Sequence, residues 1–187
     1  SHRPARAHRP AAGDLRRGGG AAAVVARRRG VRQHREGAMI GEPRIRVAGL
    51  LVNGGRILLV RHEKEGRAYW LLPGGGVEAG EALEDAVRRE FAEECAIAPQ
   101  RVHGPIAMAE TIPPPHVADG RHILHMIFAI DAEPDGVLAS TDDAVRGHAF
   151  VDRRRIRDLD LRPPIHDFLA AYRPGDAFVS LGRLWTS

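Results

Sequence analysis

Residues 72–97, LPGGGVEAGEALEDAVRREFAEECAI, constrain the fold more than any other stretch of this 187-residue chain. Three consecutive glycines open it, whereas residues 81–95 contain neither glycine nor proline and are rich in Ala, Leu, Glu and Arg. That composition predicts a helix over residues 81–95. Apolar residues recur there at three- and four-residue spacings, which gives the helix one core-facing stripe of Leu83, Ala86, Val87 and Phe91.

Glutamates crowd a neighbouring face of this predicted helix. Glu90, Glu93 and Glu94 stand at i, i+3 and i+4, so their carboxylates lie on one side. Like charges at this spacing destabilise a helix by about 0.3 kcal/mol per pair unless something offsets them. A divalent cation would do so, because carboxylate oxygens without His or Cys suit Mg²⁺ or Mn²⁺. A solvated acidic face is the alternative that the helix alone leaves open.

The glycine-rich loop before the helix favours a ligand site. Gly74, Gly75 and Gly76 allow positive φ and a close approach of the backbone to a ligand. Loop and helix together resemble the Nudix box, in which glycine is followed by five residues, Glu, seven residues, Arg-Glu, an apolar residue, one residue, Glu-Glu, one residue, Gly and an apolar residue. The matching positions are Gly75, Glu81, Arg89, Glu90, Phe91, Glu93, Glu94 and Ile97. Agreement at so many fixed spacings is a specific signal.

One position departs from this pattern, because Ala96 stands where the family has glycine. A helix often ends in a left-handed residue, and alanine in that conformation costs on the order of 1 kcal/mol. The departure concerns the end of the helix rather than the chemistry. We expect either a different exit geometry or a small strain at Ala96.

Two other glycine motifs fit the loop less well. Gly74, Gly76 and Ala79 satisfy the dinucleotide fingerprint G-x-G-x-x-G/A, but acidic residues in the first turns of the following helix would repel a pyrophosphate. A Walker P-loop is excluded because no Gly-Lys-Ser/Thr follows the glycines.

The rest of the chain predicts strands on both sides of the helix. Residues 44–52 and 56–62 are apolar runs joined by Asn53-Gly54-Gly55, which is a strong hairpin signal. Further strands are predicted at residues 69–72, 102–112, 122–130 and 147–152, and a second helix at residues 164–172 with the stripe Ile165, Phe168, Leu169 and Tyr172. This order indicates an α/β fold, an α/β/α sandwich around a mixed β-sheet. The Nudix family has the same layout.

The resemblance implies a metal-dependent hydrolase that cleaves the diphosphate linkage of a nucleoside diphosphate joined to another group. The metal would be Mg²⁺ or Mn²⁺, and its implied ligands are Gly75, Glu90, Glu93 and Glu94. Arg89 would pair with Glu81 and hold loop and helix together, with an ordinary helix ion pair as the alternative. Glu90 is one candidate for the general base, and a residue on another loop is the other. The expected small-molecule partner is a nucleoside triphosphate, a nucleotide sugar such as ADP-ribose, or a dinucleoside polyphosphate.

Residues outside the box would select the substrate. Tyr69, Trp70 or Phe128 either stack on a base or belong to the core. The stiff loop at residues 113–120 either lines a pocket or only connects two strands. His122 and His125 are excluded as a chelating pair, because at i, i+3 on a strand they point to opposite faces.

Asp142 and Asp143 precede the last predicted strand, and they either support a metal or form a solvated turn.

Two alternative functions are left open by the sequence. A nucleotide-sensing or RNA-associated binding module is the alternative function, although the intact acidic residues favour an enzyme. Isomerisation of an isoprenoid diphosphate is a third, and it would need an extra cysteine or acid that the sequence does not identify.

Charge divides the chain near residue 38. Residues 1–38 carry ten arginines against Asp14 and Glu36, and the rest has 18 basic and 22 acidic residues, so the net +4 combines +8 and −4. The first segment predicts a disordered basic tail. Its arginines could bind nucleic acid or an acidic surface, or the segment could be an arginine-rich targeting sequence. We favour a third interpretation: Met39 at the change of composition indicates a translation start, so the tail need not be native. One domain is expected over residues 39–187. Nucleic acid is not the expected partner.

Cys95 is the single cysteine, which excludes an internal disulfide and indicates a reducing compartment, the cytoplasm. We expect this thiol to be buried packing rather than a nucleophile. No apolar run approaches the length of a membrane span, so no membrane partner is expected. A homodimer is left open.

Overall fold

The computed structural model describes residues 42–114, 116–117, 120–134, 136 and 138–185. The predictions for residues 1–38 and for Met39 lie outside the described residues. Within them, the elements follow in the order β1 (Arg44–Asn53), β2 (Arg56–Lys64), β3 (Arg67–Leu71), α1 (Leu83–Cys95), β4 (Arg101–Thr111), β5 (Ile123–Asp131), β6 (Gly147–Asp152), a 3-10 helix (Arg153–Asp158), α2 (His166–Ala171) and β7 (Val179–Leu184). None of the described helices combines the length and apolarity that a membrane crossing requires.

The strands form a mixed sheet whose centre is β1. The strand order is β3-β2-β1-β5-β4-β7, and β6 pairs with β2 on the side opposite to β1 and β3. β1 pairs with β5 and β4 pairs with β7 in parallel, whereas the other neighbours are antiparallel. β2 meets β1 only at the last two residues of β1, so the earlier part of that edge is open to another segment.

Two apolar clusters on opposite faces of the sheet give the sandwich its layers. On one face, α1 buries its predicted stripe against the sheet through Ala86, Val87 and Phe91, together with Val47, Leu51 and Phe128. On the other face, the 3-10 helix and α2 pack through Ile156, Ile165, Leu169 and Tyr172 against residues such as Leu50, Leu59 and Ile127. The predicted α/β/α sandwich around a mixed sheet is confirmed.

Most predicted elements are present with ends shifted by a few residues. The first helix starts at Leu83 rather than at Glu81, which lies in the preceding turn. The Gly54-Gly55 turn has φ values of 57° and 77°, and positive φ at both central residues is what a two-residue type I′ hairpin turn requires. A second such turn, Glu65-Gly66, joins β2 to β3 with φ values of 54° and 75°, and the sequence prediction missed it.

Two elements were not predicted because their apolar signal is weak. The 3-10 helix is mostly arginine and buries only Ile156. β7 is a short edge strand, interrupted by Gly182 and largely exposed, that pairs with β4 alone. Pairing of the backbone with β4 therefore places β7, together with the packing of Leu181 and Leu184 against the cluster on the α2 face.

Ala96 ends α1 in the left-handed conformation, with φ 56° and ψ 32°. Its amide donates to the carbonyl of Ala92, and the amide of Ile97 donates to the carbonyl of Phe91 at 3.2 Å. These bonds close the helix in the way a C-terminal glycine usually does. The sequence left open a different exit geometry or a small strain at Ala96. The exit geometry is the usual left-handed one, so the expectation of a small strain at the alanine applies.

We predict that Ala96→Gly raises the free energy of unfolding by about 0.5 to 1 kcal/mol, because glycine adopts this conformation without a Cβ penalty. Chemical denaturation of both proteins measures the change. Ala92→Gly, at an exposed and regular position of the same helix, is the control and should lower stability by a similar amount. Unchanged or reduced stability of Ala96→Gly would contradict a strained exit.

Candidate active site

The glycine-rich loop lies along the open edge of β1 and pairs with it. The amide of Val47 donates to the carbonyl of Gly75 at 2.9 Å, and the amide of Gly49 donates to the carbonyl of Pro73 at 2.9 Å. A further bridge joins Arg46 and Gly76. The loop is therefore fixed against the centre of the sheet rather than extending into solvent.

Two of the three glycines are required by close approaches. Gly74 has φ 146°, and a Cβ there would lie 2.2 Å from the carbonyl oxygen of Val47. At Gly75, a Cβ would lie 2.3 Å from Oε1 of Glu90. Both distances are far shorter than van der Waals contact. At Gly74 the obstacle is the backbone of β1, so a side chain would push the loop off that strand, whereas at Gly75 the Glu90 carboxylate would have to move. The Gly75 position thus brings its peptide directly against the Glu90 carboxylate.

Arg89 joins the loop to the helix. Its Nε and Nη2 donate to the two carboxylate oxygens of Glu81 at 2.8 and 3.0 Å, and Nη2 also donates to the carbonyl of Gly76 at 3.0 Å. Its Nη1 donates to Glu90 at 2.7 Å and to Glu93 at 3.2 Å. The hydrogen bonds from Arg89, aided by the amide of the turn, lower the pKa of Glu81 to about 2.

This arginine also offsets repulsion between the glutamates. The sequence alone left either a divalent cation or a solvated acidic face as the explanation, but Nη1 of Arg89 lies within hydrogen-bond distance of both Glu90 and Glu93. Arg89 therefore offsets part of the repulsion between the glutamates. The acidic face by itself does not require a metal ion.

The three glutamates differ in burial and partners. Glu94 is 3% exposed, and its Oε2 accepts a hydrogen bond of 2.7 Å from the amide of Gly74. Glu90 is 8% exposed, and burial raises the pKa of its carboxyl although Arg89 opposes the shift. Glu93 keeps 48% of its side chain exposed. Glu94 therefore holds the loop, whereas Glu93 is the carboxylate most open to a ligand.

Two further residues contact this region and were missed by the sequence prediction. Arg46 donates from Nη2 to the carbonyls of Leu72 at 3.1 Å and Gly74 at 2.6 Å. His62 places Nε2 at 3.8 Å from Oε1 of Glu94. The available signal was a charged residue inside an apolar strand pattern, which for Arg46 stands between Ile45 and Val47.

The donor chemistry at this face fits a hard divalent cation. Three carboxylates and the Gly75 carbonyl supply only oxygen, which Mg²⁺ and Mn²⁺ prefer. Among the described residues, no three His, Cys, Asp or Glu side chains are already arranged as a metal cluster. The Gly75 carbonyl accepts one hydrogen bond from Val47, which leaves a second lone pair. The four ligands implied by the resemblance remain a prediction.

A large cleft of about 1170 Å³ is linked to the acidic face through two side chains. Arg46 lines this cleft and at the same time donates to the carbonyl of Gly74, whose amide donates to Glu94. Tyr69 lines it as well, and its ring lies 5.8 Å from that of His62. The glutamates of α1 are not among the described residues that line the cleft, so these two contacts, rather than a shared surface, connect the two regions.

The structure separates the aromatic candidates. Tyr69 lines the cleft, whereas Trp70 packs against the core on the α2 face and Phe128 is 1% exposed on the α1 face. Val117 and Gly120 of the predicted loop line the cleft, so part of that loop borders the pocket; residues 115, 118 and 119 lie outside the described residues.

The remaining polar candidates have separate roles. Nε2 of His122 lies 2.7 Å from Glu110 and Nε2 of His125 lies 3.1 Å from Thr111, so these two histidines bind different partners. Asp142 is exposed and accepts a hydrogen bond from the amide of Ala144, as expected for a solvated turn.

Cys95 is fully buried against the α1 face of the sheet. Burial raises the pKa of its thiol to about 12, with the nearby Glu94 charge contributing. It is a packing residue, as the sequence predicted.

Comparisons with known proteins agree with this geometry. A model of the NUDIX domain matches residues 42–172. Proteins named phosphatase NudJ from Shigella boydii and Escherichia coli K12 are each 36% identical over 139 residues, which cover 73% of this chain and 88% of the relative.

Solved structures give the same result. A MutT Nudix hydrolase from Burkholderia pseudomallei has 27% identity and a TM-score of 0.53, covering 61% of this chain and 86% of that one. The Escherichia coli ORF135 protein has 24% identity and a TM-score of 0.57, covering 72% and 96%. The NUDIX domain of Shewanella oneidensis NrtR, solved with ADP-ribose, has 17% identity and a TM-score of 0.54, covering 70% and 85%.

We predict that Arg89→Lys lowers the free energy of unfolding by about 1 kcal/mol, because lysine keeps the charge but cannot make the forked contact to Glu81. Thermal and urea unfolding measure the loss. Arg88→Lys is the matched control on the same helix, where Arg88 makes one hydrogen bond, to the carbonyl of Pro99. Equal losses in the two variants would show that the fork does not hold loop and helix together.

His125 generates a pH-dependent prediction. Burial and then the charge of Arg46 lower the pKa of His125 to about 3. The folded protein therefore keeps this ring neutral, whereas the unfolded chain binds a proton below about pH 6.5. Protonation of the unfolded state then removes stability as the pH falls from about 6.5 towards 3.

We predict that His125→Gln reduces the loss of unfolding free energy between pH 6.5 and pH 5 by about 1 to 2 kcal/mol relative to the unsubstituted protein. Urea unfolding at the two pH values gives the difference. His116→Gln, at an exposed position, is the control and should leave the loss unchanged. The same pH dependence in all three proteins would contradict a neutral buried His125.

Proposed function

Because this chain belongs to the Nudix hydrolase family, we propose that it uses a divalent cation to hydrolyse the diphosphate linkage of a nucleoside diphosphate joined to another group. The observation that carries this proposal is the hydrogen-bond chain that joins the cleft to the acidic face of α1. Arg46 lines the cleft and donates to the carbonyl of Gly74, whose amide donates to Glu94. A nucleotide in the cleft would direct its phosphates towards Arg46 and the glutamates beyond it.

The site must supply positive charge to neutralise the diphosphate of the substrate. A diphosphate carries dense negative charge, which repels both hydroxide and the glutamates of α1. Bound Mg²⁺ or Mn²⁺ would neutralise that charge and lower the pKa of water. Gly75, Glu90, Glu93 and Glu94 are the residues that would hold the ion.

The chain's own residues have distinct proposed tasks. Glu94, held by the amide of Gly74, fixes the glycine-rich loop and keeps its carboxylate in place. Glu90 is the candidate base, because its buried carboxylate lies against the Gly75 peptide on the acidic face, and a residue on another loop is the alternative. Arg89 and Glu81 act on the loop and helix rather than on the substrate.

The substrate class remains a proposal. Nucleoside triphosphates, nucleotide sugars and dinucleoside polyphosphates all contain the linkage. The Shewanella domain was solved with ADP-ribose, but at 17% identity that similarity concerns the fold alone. Direct assay of each class is therefore required.

We predict Mg²⁺-dependent release of phosphate or a nucleoside monophosphate from at least one member of a panel of these three classes. Glu93→Gln should lower kcat/KM by about 100-fold or more, because it removes a charged ligand of the ion while preserving shape. Glu84→Gln, an exposed glutamate in the first turn of the same helix, is the control and should keep full activity.

Two outcomes would contradict the proposed hydrolase. Equal activity in Glu93→Gln and Glu84→Gln would exclude the acidic face as the site. Tight nucleotide binding without turnover of any panel member would favour the sensing module instead.

A further inference from the structure

The residue that follows the C-terminal strand lines the cleft. The NUDIX model matches residues 42–172, whereas β7 spans Val179–Leu184 and pairs in parallel with β4. Trp185 follows this strand directly and lines the cleft, with 37% of its surface exposed. A large exposed aromatic side chain at a concave site is a common recognition element for planar ligands.

Arg162 presents a second flat group to the same cleft. Its guanidinium makes a forked contact to Asp160, with Nε at 3.2 Å and Nη2 at 3.0 Å from the carboxylate oxygens. Its Cζ lies 4.4 Å from the centroid of the Tyr69 ring, so one face of the guanidinium rests on an aromatic ring. The amide of Arg162 also donates to the carbonyl of Trp70 at 2.8 Å, which fixes the backbone.

Part of the Arg162 side chain remains available to a ligand. A third of the Arg162 side chain remains exposed, and it lines the cleft together with Trp185. Nucleobases stack on arginine planes as well as on aromatic rings. Because the fork to Asp160 and the contact with Tyr69 already order the side chain, stacking a base on it costs little additional entropy.

The charge of the lining restricts the ligand further. Among the described residues of the lining, one is acidic, Glu65, and five are cationic: Arg46, Lys64, Arg67, Arg121 and Arg162. Such an excess attracts an anion into the cleft. A nucleotide satisfies both requirements, because it combines a planar base with phosphates.

We propose that Trp185 and Arg162 form the base-binding site of this protein, with the phosphates of the nucleotide extending past Arg46 towards the glutamates of α1. This inference rests on the proposed function and assigns its specificity to residues outside the glycine-rich loop and α1. The segment after residue 172 is then part of substrate recognition, not only of the sheet.

The test uses two probes that differ only in the nucleoside. α,β-Methylene-ADP contains a non-hydrolysable bridge in place of its diphosphate oxygen, and methylenediphosphonate is the same group without base or sugar. Calorimetric titrations with Mg²⁺ should give a Kd for α,β-methylene-ADP that is about tenfold higher in Trp185→Ala, as expected for loss of one stacking partner. The Kd for methylenediphosphonate should not change.

Matched variants distinguish loss of stacking on the base from loss of an exposed aromatic residue or of positive charge. Phe178→Ala removes another exposed aromatic side chain close to β7 that does not line the cleft, and it should leave both Kd values unchanged. Arg162→Lys keeps the charge and loses the plane, so it should weaken α,β-methylene-ADP binding alone. Trp185→Phe should retain most of the affinity.

Fluorescence gives an independent readout, because the chain has two tryptophans and Trp70 packs against the core. α,β-Methylene-ADP should quench emission in the unsubstituted protein but not in Trp185→Phe. Equal quenching in both proteins, or equal Kd values in Trp185→Ala and Phe178→Ala, would overturn the proposal.

The outcome is separable from that of the proposed function. Nucleotide hydrolysis with no effect of Trp185→Ala on nucleotide affinity would overturn the base-binding site alone. Base-dependent binding lost in Trp185→Ala, without hydrolysis of any panel member, would overturn the hydrolase alone. If neither α,β-methylene-ADP nor methylenediphosphonate binds, the base-binding site is also overturned.

Discussion

The pairing of the glycine-rich loop with β1 is the constraint on which the rest of the site depends. β1 needs partners on both edges, and β2 reaches only its last two residues, so Pro73 and Gly75 complete the earlier part. This close backbone approach is why Gly74 cannot carry a side chain. Once the loop is fixed there, α1 must begin where its carboxylates meet the loop. The position of the glutamates is therefore set by backbone pairing in the centre of the sheet.

Two arginines keep this acidic region folded before any ligand arrives. Arg89 lies on the side of α1 and bridges Glu81, Glu90 and the loop, whereas Arg46 approaches from β1 and binds the loop carbonyls. Burial lowers the pKa of Arg46, and the charges of Glu94 and Glu90 counteract this shift. The carboxylates and the arginines thus stabilise each other's charged forms. Of the three glutamates, only Glu93 keeps about half of its side chain in solvent.

The sequence predicted the parts of the molecule that local chemistry determines. Helix propensity and the apolar stripe placed α1, and the glycine pairs placed the β1–β2 turn. It could not place β7, because an edge strand with exposed side chains carries little periodic signal. It also read Arg46 as part of an apolar run, since the role of that residue depends on a loop 26 positions away. Long-range pairing, rather than composition, decides both cases.

The division between chemistry and recognition follows from the same geometry. The loop is held by contacts to β1 that tolerate almost no change, since a Cβ at Gly74 would collide with the backbone of Val47. The cleft instead collects side chains from β1 to β5, from the segment around Arg162 and from Trp185 after β7. Arg162 and Trp185 lie outside the strands, so they can be replaced without moving the glutamates. A chain of this fold can therefore alter the ligand that it recognises while it keeps the same acidic face.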